Sequence, residues 1–220
     1  MSDIFDEVEE DLRAERMRAL LTRYAGVVLL AGLVVVGGVA AWQGWDWYQA
    51  RQDRIAAQTY IAAMLAAGDT GPVAAPARAQ ALGQFLALSR TAPSGYRTLA
   101  RLHAAALEAD AGHLPQALAL WNAVAADQNA DPLLRGLAGL LWAGRQLDTA
   151  DPALLAARLK TLAMPGAPWR ALAEEDLALL DLRQHRDADA KRRLDALVKE
   201  PTTPVGVRQQ AAALSAGIDG

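Results

Sequence analysis

The chain has 220 residues, a net charge of −3 and no cysteine, so a disulfide framework and thiolate chemistry are both excluded. Hydrophobic residues make up 53% of the sequence, and Ala and Leu carry most of that share, which favours helix over sheet. Residues 49–220 carry 18 basic and 17 acidic side chains, which argues against a phosphate-binding surface large enough for nucleic acid.

The first predicted element is a short cytoplasmic helix over residues 1–23. Ile4, Val8 and Leu12 recur at intervals of four, with acids early in the segment and Arg residues late, an order that suits the helix dipole. This apolar stripe, joined by Phe5, either docks on a cytosolic partner or belongs to a solubilising helix that lies against lipid headgroups.

A transmembrane helix is predicted over residues 24–48. No charged residue occurs in residues 24–45, and as a helix this run rises roughly 33 Å, close to a hydrocarbon thickness of about 30 Å. Aromatic side chains, which prefer the membrane interface, flank the run. They are Tyr24, Trp42, Trp45, Trp47 and Tyr48.

The alternative to an anchor is a cleaved signal peptide, because Gly38, Ala40 and Ala41 offer small residues near a cleavage point. A long acidic region before an apolar run that exceeds a signal core favours the uncleaved anchor. Four Arg precede the run, and two, Arg51 and Arg54, follow it. This bias predicts an inner-membrane protein with a cytoplasmic N-terminus and a periplasmic C-terminal domain.

Pairs of small residues lie in the outer half of the span. Gly37 stands four positions before Ala41, and Ala40 stands four before Gly44. Such pairs permit close approach of a second membrane helix, although they are frequent by chance in spans rich in Gly and Ala. Gly37, Ala41 and Gly44 are therefore candidates for helix docking.

Beyond the span, residues 49–76 are predicted as a membrane-proximal helix and linker, and residues 77–220 as a tetratricopeptide-like solenoid of helical hairpins. The first helical pattern stops at Gly68-Asp69-Thr70-Gly71-Pro72, because Gly and Pro interrupt helices. Segments of helical length follow, separated by turn signals. They cover residues 77–90, 94–111, 114–127, 132–147, 151–163, 168–184, 187–199 and 204–217.

Capping residues mark four of these predicted helix starts. A cap accepts a hydrogen bond from a free N–H of the first turn, and it often precedes a Pro or Gly. The predicted caps are Ser94, Asp131, Asp151 and Thr203. Since no strand signal of any strength occurs, the expected fold class is all-α.

Two of the hairpins share a packing template. In each second helix a small residue is followed four positions later by a large one, so that the helices approach closely and the gap beyond is filled. The repeat-packing positions are Gly112, Ala117, Trp121, Ala190 and Leu194. Ala117 and Ala190 are 73 residues apart, close to two repeats of about 34 with a short insertion. The middle pair, 132–163, lacks this match and is interpreted as degenerate.

No catalytic, metal or cofactor site is predicted. The histidines are His103, His113 and His185. No two have a ligand spacing, and each is interpreted as a surface or hairpin-turn side chain. Glu174, Glu175 and Asp176 are interpreted as acids that complement the dipole of a helix start. An enzyme is therefore not expected.

Stacked hairpins leave a concave face for peptides or protein segments. Tyr96, Arg97 and Arg101 are the candidates for a partner surface. Two further groups have two interpretations each. The rings of Trp121, Trp142 and Trp169 either fill the core or line a groove, and Lys191-Arg192-Arg193 is either a solvated helix face or a contact for an acidic partner segment.

Short stretches along nearly the whole chain carry a family resemblance. They are Ser2-Asp3-Ile4-Phe5-Asp6-Glu7-Val8, Arg23-Tyr24-Ala25-Gly26, Gly95-Tyr96-Arg97, Asp131-Pro132-Leu133-Leu134-Arg135, Pro168-Trp169-Arg170 and Thr203-Pro204-Val205-Gly206-Val207-Arg208-Gln209. In these the chain resembles alphaproteobacterial members of the YfgM-like family, single-pass tetratricopeptide proteins that are ancillary subunits of the Sec translocon. One departure is visible, since His185-Arg186 stands where the hairpin turn of the second template should have Gly.

The resemblance implies a periplasmic domain near the translocon exit. There it would associate with a membrane-anchored, prolyl-isomerase-like chaperone and help newly exported proteins. Two alternatives stay open: an envelope scaffold that serves cell-wall synthesis or division, and a secreted soluble protein whose leader is removed.

Overall fold

The computed structural model describes residues 3–68 and 75–218, with side chains from residue 26 onward except at residue 28. All regular structure in these ranges is helical and no strand occurs, which confirms the all-α prediction. The helices are α1 (Asp3–Ala67), α2 (Ala75–Thr91), α3 (Ser94–Asp110), α4 (Leu114–Ala126), α5 (Pro132–Gly144), α6 (Pro152–Leu162), α7 (Arg170–Arg183), α8 (Asp187–Lys199) and α9 (Val205–Ile218).

Each helix predicted after residue 76 is present, with ends within about three residues of the predicted ones. Two of the predicted caps are confirmed. The Asp131 carboxylate accepts from the Leu133 N–H at 2.7 Å, and the Asp151 carboxylate accepts from the Ala153 N–H at 3.2 Å. Each satisfies an N–H that the first turn of a helix leaves without an internal partner.

The other two predicted caps are wrong. Ser94 is the first helical residue of α3, whose N-cap is Pro93, and its carbonyl accepts from the Thr98 hydroxyl at 2.9 Å. Thr203 is buried, and its hydroxyl bonds no other described residue. The Arg208 guanidinium instead donates to the Thr203 carbonyl at 2.8 Å, so this loop is held from within α9.

α1 is one uninterrupted helix of 65 residues. Its described apolar side chains from Val27 to Val39 are exposed, and within Leu29–Ala67 the helix is long and apolar enough to cross a membrane. A signal sequence near an N-terminus meets the same criterion. Side chains of residues 3–25 lie outside the described part, so the Ile4-Val8-Leu12 stripe and the interfacial position of Tyr24 stay predictions.

The chain divides into two compact units, Met1–Gln52 and Asp53–Gly220. In the second unit Ala56 and Ala63 of α1 are buried against Ala81 and Phe85 of α2, so residues 53–67 form a hairpin with α2. The predicted domain boundaries at 23/24, 48/49 and 76/77 stay predictions. α1 ends as the Gly68 signal predicts, with a φ of +68° at Gly68, whereas Asp69–Pro72 lies outside the described residues.

The second unit is a stack of hairpins in which consecutive helices pack on each other. After the first hairpin come α3 with α4, α5 with α6 and α7 with α8, and α9 closes the stack. The first helices of adjacent hairpins also pack directly, since α5 contacts α7 and α7 contacts α9. The helices α5, α7 and α9 therefore form a layer in which first helices contact one another.

Candidate protein-binding surface

The predicted repeat-packing residues lie where consecutive helices meet. Ala117 and Trp121 are buried in a cluster with Ala105 of α3 and Ala138 of α5. Ala190 and Leu194 are fully buried in the last hairpin. In both second helices the small residue removes bulk where the first helix approaches, and the large residue fills the space one turn later.

The hairpin turns that follow α3 and α7 have the same hydrogen bonds. The N–H of Gly112 donates to the Ala109 carbonyl at 3.1 Å, and the N–H of His113 donates to the Glu108 carbonyl at 2.8 Å. This pair of bonds defines the Schellman motif, in which the penultimate residue is left-handed. Gly112 supplies that conformation with a φ of +83°.

In the second turn His185 and Arg186 repeat these bonds, at 2.9 Å each, to the Leu182 and Asp181 carbonyls. His185 has a φ of +56°, so it adopts the left-handed conformation without being glycine. The side chains across each turn also correspond: the Glu108 carboxylate contacts His113 Nδ1 at 2.7 Å, and Asp181 pairs with Arg186. The departure at His185-Arg186 thus preserves the turn and a side-chain contact across it.

The same offset of 73 residues places two stripes of side chains on equivalent sides of α3 and α7. Spacings of four, three and four residues put the members of each stripe on one side of a helix. The stripes are Leu99, His103, Ala106 and Asp110 on α3, and Leu172, Asp176, Leu179 and Arg183 on α7. All eight are half-buried or exposed, whereas their helices bury the opposite side, and we call this set the inner stripe.

Position His103 of the inner stripe belongs to an aromatic cluster. Its ring stacks on Phe85 with centroids 5.2 Å apart, and Tyr60 meets His103 edge-on at 5.6 Å. Tyr96 completes the cluster at 5.9 Å from Tyr60. The interpretation of His103 as a surface or turn residue is therefore wrong, because it is half-buried in the middle of α3. Burial, with a smaller contribution from Tyr96, raises the pKa of Tyr60.

The equivalent position on α7 is Asp176, which faces α5: a methyl group built on Gly144 would lie 3.6 Å from Asp176 Oδ2. Burial, with a contribution from the Glu175 charge, raises the pKa of Asp176 to about 7. Glu175 is itself buried, one of its oxygens has no hydrogen-bond partner among the described residues, and burial raises its pKa as well.

The interpretation of Glu174, Glu175 and Asp176 as acids of a helix start is wrong. α7 begins at Arg170, and its first turn contains no acid. Glu174 instead pairs with Arg193 of α8 at 2.7 Å. The three acids therefore lie in the body of α7, where they face three different environments.

The basic cluster Lys191-Arg192-Arg193 does not present three free cations. Arg193 reaches back to α7, where its Nε donates to Asp181 at 2.9 Å and its NH1 donates to Glu174 at 2.7 Å. Arg192 pairs with Asp189 on its own helix at 2.8 Å. The contacts of Arg193 join α7 to α8, and the charges of both arginines are matched within the chain.

Two of the three residues proposed for a partner surface are engaged within the fold. Arg101 pairs with Asp127 at the end of α4, at 3.2 Å, and Tyr96 packs towards α1 in the aromatic cluster. Arg97 is half-buried, and its Nε has no partner among the described residues. The assignment of these residues to a partner surface stays a prediction.

The tryptophans of the second unit take different positions. Trp121 is 1% exposed and fills the core. Trp142 is half-buried and lies beneath Arg158, whose guanidinium carbon is 3.7 Å from the ring centroid. Trp169 is half-buried, donates from Nε1 to the Leu133 carbonyl at 2.9 Å, and lies against the backbone at Gly136.

The candidate interfacial residues of the first unit, Trp42, Trp45, Trp47 and Tyr48, are all exposed. Trp45 and Tyr48 are 6.4 Å apart, and the Arg51 guanidinium lies 5.7 Å above the Trp47 ring. Ala41 is exposed, and nothing lies within 4 Å of a methyl group built on Gly37 or Gly44. This side of the helix is open, and docking there stays a prediction.

The inner stripe is absent from the sequence-based predictions, although its signal is present. The template match between residues 99–124 and 172–197 already contains the 73-residue offset. The packing template names only core positions, and the same offset also relates Leu99 to Leu172. In the structure Leu99 is half-buried and Leu172 is 36% exposed, so neither is a core residue.

The sequence matches a known family of protein domains. A family model described as a tetratricopeptide repeat-like domain matches residues 18–175, well over half of the chain. No curated protein and no solved structure matches the sequence.

Proposed function

The chain belongs to the tetratricopeptide repeat-like domain family, and on this basis we propose that it is a membrane-anchored scaffold or co-chaperone that binds proteins and catalyses no reaction. Residues 24–48 anchor it in the inner membrane with the N-terminus in the cytoplasm. The hairpin stack lies in the periplasm beside the Sec translocon and assists newly exported proteins.

The inner stripe is the observation that carries the binding role. Helical repeats hold partners on an extended surface built from equivalent positions of successive repeats. Leu99 and Ala106 on α3 are equivalent to Leu172 and Leu179 on α7, two hairpins further along the stack, and all four leave apolar surface accessible. The polar residues of the stripe differ between the two helices, with His103 on α3 and Asp176 on α7. A bound segment therefore meets the aromatic cluster around His103 at one end and the Asp176 carboxylate at the other.

Support for the anchor comes from α1, whose described apolar side chains are exposed and which is long enough to cross a bilayer. Protease added to spheroplasts is expected to remove the C-terminal portion and to spare the first two dozen residues. Protection of the C-terminal portion until the membrane is lysed would contradict this topology. The intact mass of the mature protein tests the cleaved-leader alternative, because cleavage would remove about 40 residues.

Support for the translocon as partner comes from the resemblance to the YfgM-like family. Copurification in mild detergent is expected to recover Sec subunits and the membrane-anchored chaperone. Recovery of cell-wall synthases without Sec subunits would instead favour the envelope scaffold.

Photocrosslinking in cells tests the binding surface. A crosslinker at Leu99 or Ala106 of the inner stripe is expected to capture exported proteins, whereas one at the exposed Lys199 of α8 is not. An even scatter of crosslinks over the inner stripe and Lys199 would count against a defined binding face.

A further inference from the structure

A groove of about 420 Å³ lies between α4, α5 and α6, separate from the inner stripe. Gly136 and Gly139 of α5 line it; the absent side chain of Gly139 leaves room there, whereas the indole of Trp169 occupies the space beside Gly136. Arg135 and Arg158 line it as well. Its size falls within the range of about 300–1,000 Å³ that is usual for ligand sites.

Arg135 and Arg158 have neutral hydrogen-bond partners. The NH1 of Arg135 donates to Gln128 Oε1 at 2.8 Å, and the NH2 of Arg158 donates to Asn122 Oδ1 at 3.0 Å. These amides fix the guanidinium groups and leave both positive charges unneutralised. Among the described residues neither arginine forms an ion pair, in contrast to Arg101, Arg170, Arg186 and Arg193.

The fold also fixes the orientation of Arg158. Its guanidinium carbon lies 3.7 Å from the centroid of the Trp142 ring. This stacking fixes the plane of the guanidinium group and leaves N–H donors at its edge available to an acceptor. A guanidinium fork matches a carboxylate, which accepts two parallel hydrogen bonds from it. Two oriented guanidinium groups beside the open backbone at Gly139 therefore suit an extended peptide that carries carboxylates.

We propose that this groove, the arginine groove, binds an acidic segment of a partner protein, with its carboxylates on Arg135 and Arg158 and its backbone passing over Gly139. The inference rests on the proposed protein-binding function and gives it a second surface with its own chemistry. Charge complementarity selects the occupant, because a neutral or basic segment would leave two oriented cations without a partner.

The test uses the full chain in mild detergent and a short labelled peptide in which Glu alternates with Ala. Fluorescence anisotropy is expected to show binding that weakens as salt rises, and a peptide with Gln in place of Glu is expected to bind at least about ten-fold more weakly. Arg135→Gln and Arg158→Gln should each weaken binding of the Glu peptide by about ten-fold or more.

Two further variants separate the groove from general attraction between charges. Lys160→Gln removes one charge from an exposed position of α6, two residues from Arg158, and should leave binding unchanged. Gly139→Ala adds a methyl group 3.6 Å from Leu162 Cδ1, an ordinary contact that keeps the fold, and should weaken binding by narrowing the groove. Circular dichroism of each variant verifies that the helices are intact.

Equal binding of the Glu and Gln peptides would overturn the proposal, as would an equal loss in Lys160→Gln and Arg158→Gln. Either result would leave the crosslinks from Leu99 and Ala106 unaffected, so failure of the arginine groove is distinguishable from failure of the proposed function. Loss of those crosslinks with retained peptide binding would instead contradict the proposed binding face and leave the arginine groove intact.

Discussion

His185 holds a left-handed backbone conformation that costs a residue with a side chain roughly 1–2 kcal/mol. His185→Gly removes this strain, and the gain is partly offset by the greater freedom of Gly in the unfolded chain. We expect the free energy of unfolding to rise by about 1 kcal/mol.

Gly112→Ala at the equivalent turn is the matched test and should lower the free energy of unfolding by about 1 kcal/mol. Urea denaturation of the full chain in detergent, followed by far-UV circular dichroism, measures both changes. A loss of stability in His185→Gly would mean that the imidazole makes a contribution larger than the backbone strain.

Gly136 and Gly139 lie one turn apart on α5 but differ in the space around them. A methyl group on Gly136 would lie 2.6 Å from Cδ1 of Trp169, whereas one on Gly139 meets nothing closer than 3.6 Å. In Gly136→Ala the indole must therefore move and lose its bond to the Leu133 carbonyl. We expect a loss of about 1–3 kcal/mol, as for other overpacked sites.

Gly139→Ala is the control and should be neutral or stabilising, because Ala is favoured over Gly in a helix by about 1 kcal/mol. Tryptophan emission should shift in Gly136→Ala alone. Equal stability of the two variants would show that Trp169 is not held against α5.

At the scale of the helices, the pairing of α5 with α7 should depend on pH through Asp176. Its pKa is about 7 in the folded protein against an ordinary 3.8, so the folded state binds a proton more readily than the unfolded chain. The stability of the fold should therefore fall as pH rises from about 4 to about 7 and should level off above that.

Asp176→Asn removes this titration. The difference in unfolding free energy between the variant and the wild-type chain should grow with pH from about 5 to about 7 in favour of the variant. Taking the difference cancels the groups that do not interact with Asp176, whereas the influence of the Glu175 charge on Asp176 is part of the difference. A difference independent of pH would contradict the raised pKa of Asp176.

The helices could be predicted from the sequence because their ends are marked locally. Asp131-Pro132 and Asp151-Pro152 start helices through a cap and a fixed φ, and Gly68 ends one through its left-handed backbone. The prediction of Ser94 as an N-cap was wrong because Pro93 occupies the N-cap position of α3. A side chain that can cap a helix does not by itself determine which residue is the N-cap.

The partners of charged side chains could not be predicted in this way. The contact of Arg193 with Glu174 spans 19 residues, and the burial of Asp176 depends on α5. Both require the stacking of helices that no local pattern contains. The ion pair of Arg101 was not predictable for a related reason, because its partner Asp127 lies 26 residues away in the sequence.

At the scale of the whole molecule, the apolar run should hold the protein in a bilayer. Val34, near the middle of residues 24–45, has an exposed side chain. Val34→Arg adds a charge at the helix centre at a cost of about 2.5–3.5 kcal/mol on insertion scales. A smaller fraction of the protein should then stay in membranes washed with carbonate, whereas Val34→Leu should behave as the wild type. Equal retention of the two variants would contradict a spanning role.

The hairpin that α1 makes with α2 also has a practical consequence for work on the second unit by itself. A fragment that begins at residue 77 would lack Ala56, Tyr60 and Ala63, which cover Phe85 and Ala81. Its first helix would then present a bare hydrocarbon surface to solvent, and clumping during purification is the expected outcome. A recombinant fragment that starts at Asp53 or earlier retains this cover and is the natural choice for crystallisation.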